Sequence, residues 1–367
     1  MKLLCSGLLL LLLSGTAQAA GDITVRLRNA PPEGVLVLQV YDNPDAFGDF
    51  RRPLREERYD IQTDGSYRIA SVPPGNVAVL AYIDGNNNRA LDRTFIGIPR
   101  EPIGLSNNYR PKGPPSFQRA SFKLESGRSA TLDIELYEVL GDAGQWGVGL
   151  GVIGRSSPYV DSDSNVIQVI PAITYFGERL QWVGPQLRYG LLGSDTLRFA
   201  VSATYRVGAY EEDDSPLLEG LGDRDSTLMA GVGIAYEGPA GIDLDFRYQH
   251  DVLDRTGGGT AEMSLSKGFQ AGNWRLSPFV SVNWLSSDLA NYDFGVADAA
   301  ARPGRPAYDV GSSTNFEIGL GSLWEITEHW RLVLNLGVEN LDDRITDSPI
   351  VEEDHVLQGF AAITYTF

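Results

Sequence analysis

GIDLDFRYQH, residues 241–250, is the stretch that decides the fold class of this chain. Side chains of an extended strand alternate between its two faces. Here one face is apolar, with Ile242, Leu244, Phe246 and Tyr248, and the other is polar, with Asp243, Asp245, Arg247 and Gln249. A soluble sandwich would turn the apolar face to its core, but the pattern recurs in several later segments separated by short turns. Every strand of a barrel wall in lipid needs this pattern, so it predicts a transmembrane antiparallel β-barrel over residues 145–367.

The number of wall strands depends on residues 178–190, where the alternation slips. The apolar residues Leu180 and Trp182 lie at even positions, whereas Leu187 and Tyr189 lie at odd positions. Because a shift of one residue moves every side chain to the opposite face, residues 183–185 must hold a bulge or a strand break. Single-chain bacterial barrels have even strand numbers. Dividing this stretch, or adding 288–296 as a strand, gives twelve strands, which we favour; merging it gives ten.

Residues 1–19 have the features of a secretory signal peptide. Lys2 precedes an apolar run over residues 3–13, and the small-residue sequence Ala17-Gln18-Ala19 follows. A membrane-anchor helix is the alternative, but the run is shorter than the ~20 apolar residues of a bilayer span. The single cysteine, Cys5, lies in this segment, so the mature chain has neither a disulfide nor a cysteine nucleophile. The net charge of −18 argues against nucleic-acid partners and against a basic lipid-binding surface.

Residues 20–137 are predicted to form a separate domain of shorter strands. Apolar runs such as 35–41 and 77–82 are separated by turn signals that include Pro31-Pro32 and Pro73-Pro74-Gly75. This rhythm predicts an all-β unit, a sandwich of immunoglobulin-like or transthyretin-like type. A polar linker over residues 138–144 follows. Because the sandwich lies between the signal peptide and the first wall strand, we expect it in the periplasm.

The loop DGNNNRALD, residues 84–92, is a candidate calcium site. Oxygen-bearing side chains stand at Asp84, Asn86, Asn88 and Asp92, as in the first positions of an EF-hand loop. The match is incomplete, because Arg89 stands where that loop has glycine and Phe95 where it has glutamate. The alternative is an Asn/Asp-rich turn that bonds its own backbone. No other cofactor is predicted.

Turn lengths predict how the barrel is oriented, because outer-membrane barrels have short periplasmic turns and long external loops. Segments 237–240, 270–273 and 327–329 are short, whereas 206–226, 286–313 and 341–355 are long. The long loops should therefore face outward, where their acidic clusters 211–214 and 352–354 are solvated or bridged by divalent cations to lipopolysaccharide. The chain should end in the periplasm at Phe367, and we expect the barrel-assembly machinery to recognise this final strand.

The barrel segment, about residues 140–367, resembles the MipA/OmpV family of outer-membrane proteins. The resemblance rests on the acidic loop 211–214 with 220–223, on YDFGV at 292–296 continuing to 308, on SPIV at 348–351 and on Phe367. Asp293-Phe294 departs from the tyrosine pair that the family tends to show before Gly-Val. The resemblance implies an envelope scaffold or stress protein, with one member linked to a murein-degrading transglycosylase and a murein synthase. It implies no catalytic residues.

Residues 22–137 resemble an uncharacterised family of small secreted bacterial domains. The resemblance rests on Ala81-Tyr82 leading into the 84–92 loop, on FIGIP at 95–99, on GLSNN at 104–108 and on GPPSF at 113–117. This family implies no function.

Charged side chains on the polar faces of the wall strands are predicted to point into the lumen. They are Arg198, Arg206, Asp243, Asp245, Arg247, Glu262, Arg275, Glu317 and Arg331. They could line a selective channel. We favour the alternative, a plugged interior in which opposite charges pair because a small barrel has little room for water.

Taken together, the sequence predicts a non-enzymatic protein of the outer membrane that acts as a scaffold or in envelope integrity, linked to periplasmic peptidoglycan enzymes. A small-solute channel is the first rival, and conductance would distinguish it. A lipid hydrolase is the second, and it would need His250, His329 or His355 beside a serine in space.

Overall fold

The computed structural model describes residues 19–62, 65–94, 97–141, 143–162, 165–194 and 196–367. The predicted signal peptide up to residue 18 lies outside the described residues, as does Phe95 of the EF-hand comparison. The chain is mostly β-structure. Among the described residues, no helix has the length and apolar character needed to cross a membrane.

Two small sheets form the N-terminal domain, which we call the sandwich. Its elements are β1 (Gly21–Arg28), β2 (Val35–Tyr41), α1 (Pro44–Gly48), β3 (Arg55–Asp60), β4 (Ser66–Val72), β5 (Gly75–Asp84), β6 (Ile103–Leu105), α2 (Phe117–Ala120), β7 (Phe122–Leu124) and β8 (Ala130–Glu135). One sheet has the order β4-β1-β8, and the other has the order β3-β2-β5-β6 with β7 also paired to β5. Neither sheet closes on itself.

The main core of the sandwich lies between its two sheets. Ile23 and Val25 of β1 are fully buried and belong to the same apolar cluster as Leu38 of β2 and Val79 of β5. A second cluster on the other face of β2 and β5 includes Phe47 and other aromatic side chains from the two short helices. Strand β5 is therefore buried on both faces, which explains why its sequence is a continuous apolar run.

The C-terminal domain is an antiparallel barrel. Its elements are β9 (Gln145–Arg155), β10 (Val166–Phe176), β11 (Leu180–Val183), β12 (Gln186–Gly193), β13 (Leu197–Arg206), β14 (Thr227–Glu237), β15 (Ile242–Asp251), β16 (Gly259–Lys267), β17 (Phe269–Ala271), β18 (Trp274–Leu285), α3 (Ser287–Phe294), β19 (Ser313–Glu325), β20 (Trp330–Asn340), α4 (Asp343–Thr346) and β21 (His355–Thr366). Strand β21 pairs with β9 and closes the sheet.

The barrel has twelve wall strands, which confirms the number favoured from the sequence. Strands β16 and β17 pair with β18 in one continuous register and count as a single wall strand. This wall strand is interrupted between β16 and β17, opposite Pro278 of β18, because proline has no N–H to donate. The twelfth strand arises because residues 178–190 divide into β11 and β12. Residues 288–296, the other candidate for a strand, instead contain most of α3.

The outer face of the wall is an apolar belt. Leu150, Ile318 and Leu336 are each more than half exposed, and each lies within a strand. Aromatic side chains collect at the end of the barrel that carries the short turns, where Trp274 and Trp324 stack with ring centroids 4.9 Å apart. An apolar band edged by aromatic residues is the surface that a bilayer stabilises.

Strand β11 is only four residues long and spans part of the wall. It turns back at Gly184, whose positive φ of 54° suits glycine. Strand β10 pairs with β11 only over residues 174–176, and Gly184 N–H donates to Ile173 O above them. The backbone groups of successive residues alternate between the two edges of a strand. The N–H and C=O groups of Ile167 and Val169, and the C=O of Pro171, therefore point to the same edge of β10 as the C=O of Ile173. Among the described residues, no strand pairs with this edge of β10 from Val166 to Ala172, the part nearer the long loops.

The long loops meet at the opposite end of the barrel from the short turns and share an apolar core. Leu289 and Phe294 of α3, Ile345 of α4 and Leu218 of the 206–226 loop are fully or almost fully buried in one cluster. Tyr159, from the loop between β9 and β10, packs in the same cluster. We call this structure the cap, because loops from several hairpins close over this mouth of the barrel.

Candidate functional site: the contact between sandwich and barrel

The charged side chains predicted to face the lumen lie on the opposite face of their strands from the apolar belt, and all are buried or partly buried. Several have polar partners on the inner face of the wall. Arg247 forms an ion pair with Glu262, and Arg188 lies 3.5 Å from Asp245. Glu317 accepts hydrogen bonds of 3.3 Å from Ser281 and Asn283. The inner face of the described wall is therefore lined by paired polar groups, and the Arg188–Asp245 contact joins strands that are not neighbours.

A further ion pair lies toward the cap. Arg206 at the end of β13 pairs with Asp293 of α3, whose side chain is almost completely buried. Ser348 Oγ–H donates to Phe294 O at 2.6 Å and ties a second loop to the same helix. The wall and the cap are thus joined through α3.

The other predicted lumen residues lie at the short-turn end, where they meet the sandwich. Arg51 pairs with Glu237 and lies 3.2 Å from Asp243. Arg198 contacts Glu237 as well, so one carboxylate joins a wall arginine and a sandwich arginine. Since Arg51 and Glu237 are both mostly buried, these are buried ion pairs, and removing one partner of such a pair is costly.

A second ion pair lies beside the first and links α1 to the wall. Arg275 of β18 pairs with Asp49, and both side chains are mostly buried. The backbone N–H of Gln270 donates to Asp45 Oδ1 at 2.9 Å. The end of α1 therefore docks on β17 and β18 through both side chains and backbone.

A third patch joins residues 109–119 of the sandwich to the turn between β19 and β20. Tyr109 O–H donates to Glu325 Oε2 at 3.1 Å, and Arg119 lies 3.7 Å from the same oxygen. Burial raises the pKa of Tyr109, so it stays protonated and keeps this hydrogen bond. Arg331, the last predicted lumen residue, is almost fully buried near this patch, with Gly113 of the sandwich beside its guanidinium.

The 84–92 loop is held by its own hydrogen bonds. Fully buried Asp84 pairs with Arg58 and accepts from the backbone N–H groups of Asn88 and Arg89. Asn86 and Asn88 donate side-chain hydrogen bonds to Asp92, each at 2.7 Å. Burial alone would raise the pKa of Asp84, but Arg58 and the two N–H groups lower it below its usual value. The loop's oxygens have protein partners, an arrangement that favours the turn; calcium binding stays a prediction.

Two of the three histidines have partners other than serine in the described part of the chain. His355 Nδ1 lies 2.8 Å from Asp354 Oδ1, and His329 Nδ1 lies near Lys112 Nζ and Thr366 O. Neither ring contacts a serine hydroxyl. Glu353, Asp354 and His355 come close enough together to hold a metal ion, but both acids are exposed, and exposed acidic groups are common without an ion.

Sequence reasoning missed the docking residues of the sandwich, which include Asp49, Arg51 and Tyr109. These residues lie in irregular segments where no periodicity marks a buried face. A weak signal was present on the barrel side, because Asp243, Arg275 and Arg331 are charges at the short-turn ends of wall strands. Such charges need partners in a confined interior.

A closed twelve-stranded barrel with an apolar belt and a docked polar domain defines a β-barrel protein of the outer-membrane class. The family model described as MltA-interacting protein MipA matches residues 148–367, and the chain belongs to this family. A second model, described as an uncharacterized protein conserved in bacteria, matches residues 25–131. The family that each half resembled in sequence is therefore confirmed.

Several curated relatives are named as outer-membrane proteins. The MltA-interacting protein of Escherichia coli is 28% identical over 61% of this chain and 91% of its own length. Outer membrane protein OmpV of Vibrio cholerae is 26% identical over 61% of this chain and 87% of its own length. Among solved structures, the NanC porin is 10% identical with a TM-score of 0.31, covering 59% of this chain and 98% of its own. By these relatives and its barrel, the chain is an outer-membrane protein.

Proposed function

We propose that this chain is a non-enzymatic scaffold that connects the outer membrane to peptidoglycan-remodelling enzymes. The barrel anchors the protein, and the sandwich presents a periplasmic surface to the enzymes. Lipopolysaccharide surrounds the cap end, and the barrel-assembly machinery recognises the final strand that ends at Phe367.

The docked sandwich is the observation that carries this proposal. Buried ion pairs from Arg51 and Arg275 fix the sandwich over the short-turn mouth of the barrel. A domain held in one orientation on a membrane anchor is suited to presenting a surface to a partner. A permeation pathway would instead need an open mouth, and here the sandwich and the cap cover the two ends.

The periplasmic placement is supported by the division of the loops. The sandwich contacts the turns at 237–242, 270–274 and 325–330, which are the short ones. Short turns face the periplasm in outer-membrane barrels. The chain terminus lies at the same end, because Phe367 N–H donates to Trp146 O at the start of β9.

The family supports the choice of partner. One relative is named for its interaction with MltA, and the family model carries the same name. By extension, we propose that the partner of the present chain is a peptidoglycan enzyme, which binds on or beside the sandwich.

Site-specific photocrosslinking in intact envelopes tests the proposal. A photoreactive residue replaces exposed Arg26 or Lys123 of the sandwich in the full chain, and a matched control replaces exposed Asp298 in the cap. We expect crosslinks to peptidoglycan enzymes from the two sandwich positions but not from the cap position. Absence of such crosslinks at both sandwich positions, or cleavage of the sandwich by external protease in intact cells, would overturn the proposal.

A further inference from the structure

The short strand β11 leaves a second unpaired edge, at the short-turn end of the wall. β11 begins at Leu180, which pairs with Tyr189 of β12. Beyond that pair, Gly190 N–H donates to Arg179 O, and the rest of β12 has no strand beside it on this side among the described residues. A cavity of about 500 Å³ opens here, between the end of β12, the turn before β11 and the sandwich residues Asn88, Asp92, Arg93 and Arg100.

The lining of this cavity is cationic. Arg93 and Arg100 come from the sandwich, and Arg179 and Arg198 from the barrel, whereas Asp92 and Glu178 are the carboxylates that line it. Four arginines against two acids stand out in a chain whose net charge is −18. The lining therefore attracts anions where most of the protein surface repels them.

The arginines of the cavity differ in how firmly they are engaged. Arg198 is buried and paired with Glu237. Arg93 donates to the backbone carbonyls of Asp49 and Phe50, at 2.9 Å each. Arg100 lies 3.9 Å from Glu178, and because both side chains are substantially exposed this contact is weak. Arg100 and exposed Arg179 are thus available to an incoming anion.

The other part of the lining is apolar and faces the membrane. A register shift between Gly190 and Leu192 lets Leu191 and Leu192 both project outward, 45% and 69% exposed. Phe199 on β13 pairs with Leu192 and lines the same cavity. Cationic groups and lipid-facing apolar groups therefore meet in one cavity at the rim of the belt.

We propose that this cavity binds the phosphate group of an anionic phospholipid from the adjoining membrane leaflet, with the acyl chains lying along Leu191, Leu192 and Phe199. Arginine guanidinium groups bind phosphate through paired, charge-assisted hydrogen bonds. The bound lipid contacts sandwich and wall together, so it strengthens their docking. That this leaflet is the periplasmic one rests on the orientation proposed above.

Native mass spectrometry of the full chain in neutral detergent tests the proposal, with phosphatidylglycerol, phosphatidylcholine and inorganic phosphate titrated separately. We expect saturable binding of phosphatidylglycerol about tenfold tighter than that of phosphatidylcholine. The double variant Arg100→Gln/Arg179→Gln should lose about tenfold in affinity. The matched control Arg28→Gln/Arg128→Gln removes the same charge from exposed positions outside the cavity and should bind as the unaltered chain does.

Equal binding of the two lipids, or binding that survives the Arg100/Arg179 double variant, would overturn the site. Inorganic phosphate bound as tightly as phosphatidylglycerol would overturn the lipid as its ligand. These outcomes do not depend on whether the sandwich crosslinks to peptidoglycan enzymes, so the two proposals fail separately.

Discussion

Arg51 in the sandwich reaches Asp243 in the barrel wall, with Nη1 3.2 Å from Oδ1, and so joins positions 192 residues apart in the chain. Asp243 belongs to the stretch whose alternation predicts the barrel. The same carboxylate that marks the polar face of a wall strand therefore also marks the docking surface of the preceding domain.

Arg51→Ala should loosen this docking without unfolding either domain. The change leaves Asp243 without its ion-pair partner and Glu237 with Arg198 alone, and loss of one member of a buried pair costs about 3 kcal/mol. Hydrogen exchange of backbone amides in residues 44–52 of the full chain should speed up. Arg55→Ala, which removes an exposed pair with Glu57 within the sandwich, is the control; equal exchange in the two variants would contradict the role of Arg51.

Charge placement tests the wall. Leu244→Arg or Leu334→Arg puts a cation on the lipid-facing side near mid-strand, which should cost about 2–4 kcal/mol and block assembly. Asp245→Asn, on the adjacent inward position, should be tolerated because an amide still bonds to Arg188. Assembly is measured as folded protein in the outer-membrane fraction, and equal tolerance of both kinds of change would be incompatible with the assigned faces.

The sandwich expressed alone, residues 20–137, should be soluble and β-rich because its main core involves no barrel residue. Within it, Asp84→Ala should lower the free energy of unfolding by about 2–3 kcal/mol, since Arg58 and two backbone N–H groups lose their acceptor. If the loop also holds calcium, the unaltered fragment should melt higher with calcium than with chelator, and replacing both Asp84 and Asp92 should abolish the difference. Melting temperatures that calcium leaves unchanged would reduce the loop to a turn.

Glu101 should make the stability of this fragment depend on pH. Burial raises the pKa of Glu101 from 4.5 to about 7, although the N–H groups of Gly85 and Asp92 donate to it. The folded state then holds a proton that the unfolded state has released, so the stability contributed by protonated Glu101 is lost as pH rises from about 4.5 to about 7. Glu101→Gln should flatten the pH dependence over this window in thermal melts, and an unaltered slope would show that another group causes it.

Planar-bilayer recordings should show no steady ionic current through the full chain. Arg188 of β12 reaches Asp245 of β15 inside the barrel, and the sandwich and the cap lie over its two ends. An open porin in the same bilayers supplies the positive control. A reproducible conductance from this chain would favour the channel hypothesis over the scaffold.

Sequence periodicity predicted the wall because side-chain alternation is a direct consequence of strand geometry, and residues 241–250 show it without interruption. The slip at residues 183–185 was also visible, since a reversal of parity requires a break. Helix α3 is harder to predict from the sequence, because Leu289 and Phe294 are buried by other loops rather than by a neighbouring strand. The docking residues Arg51 and Asp49 lie in a segment without any period, and only the tertiary structure brings them to Glu237 and Arg275.

Because strand β11 has only four residues, it leaves part of its neighbour β10 unpaired and makes this the weakest place in the barrel wall. Apart from the end of β12 beyond Gly190, each described wall strand is hydrogen-bonded to two neighbours, but β10 from Val166 to Ala172 is bonded on one side only. Pro171 has no N–H to donate at this free edge. Opening of the wall should therefore start between β10 and the β11–β12 hairpin, with the amides of Ile167 and Val169 the first in the wall to exchange with solvent.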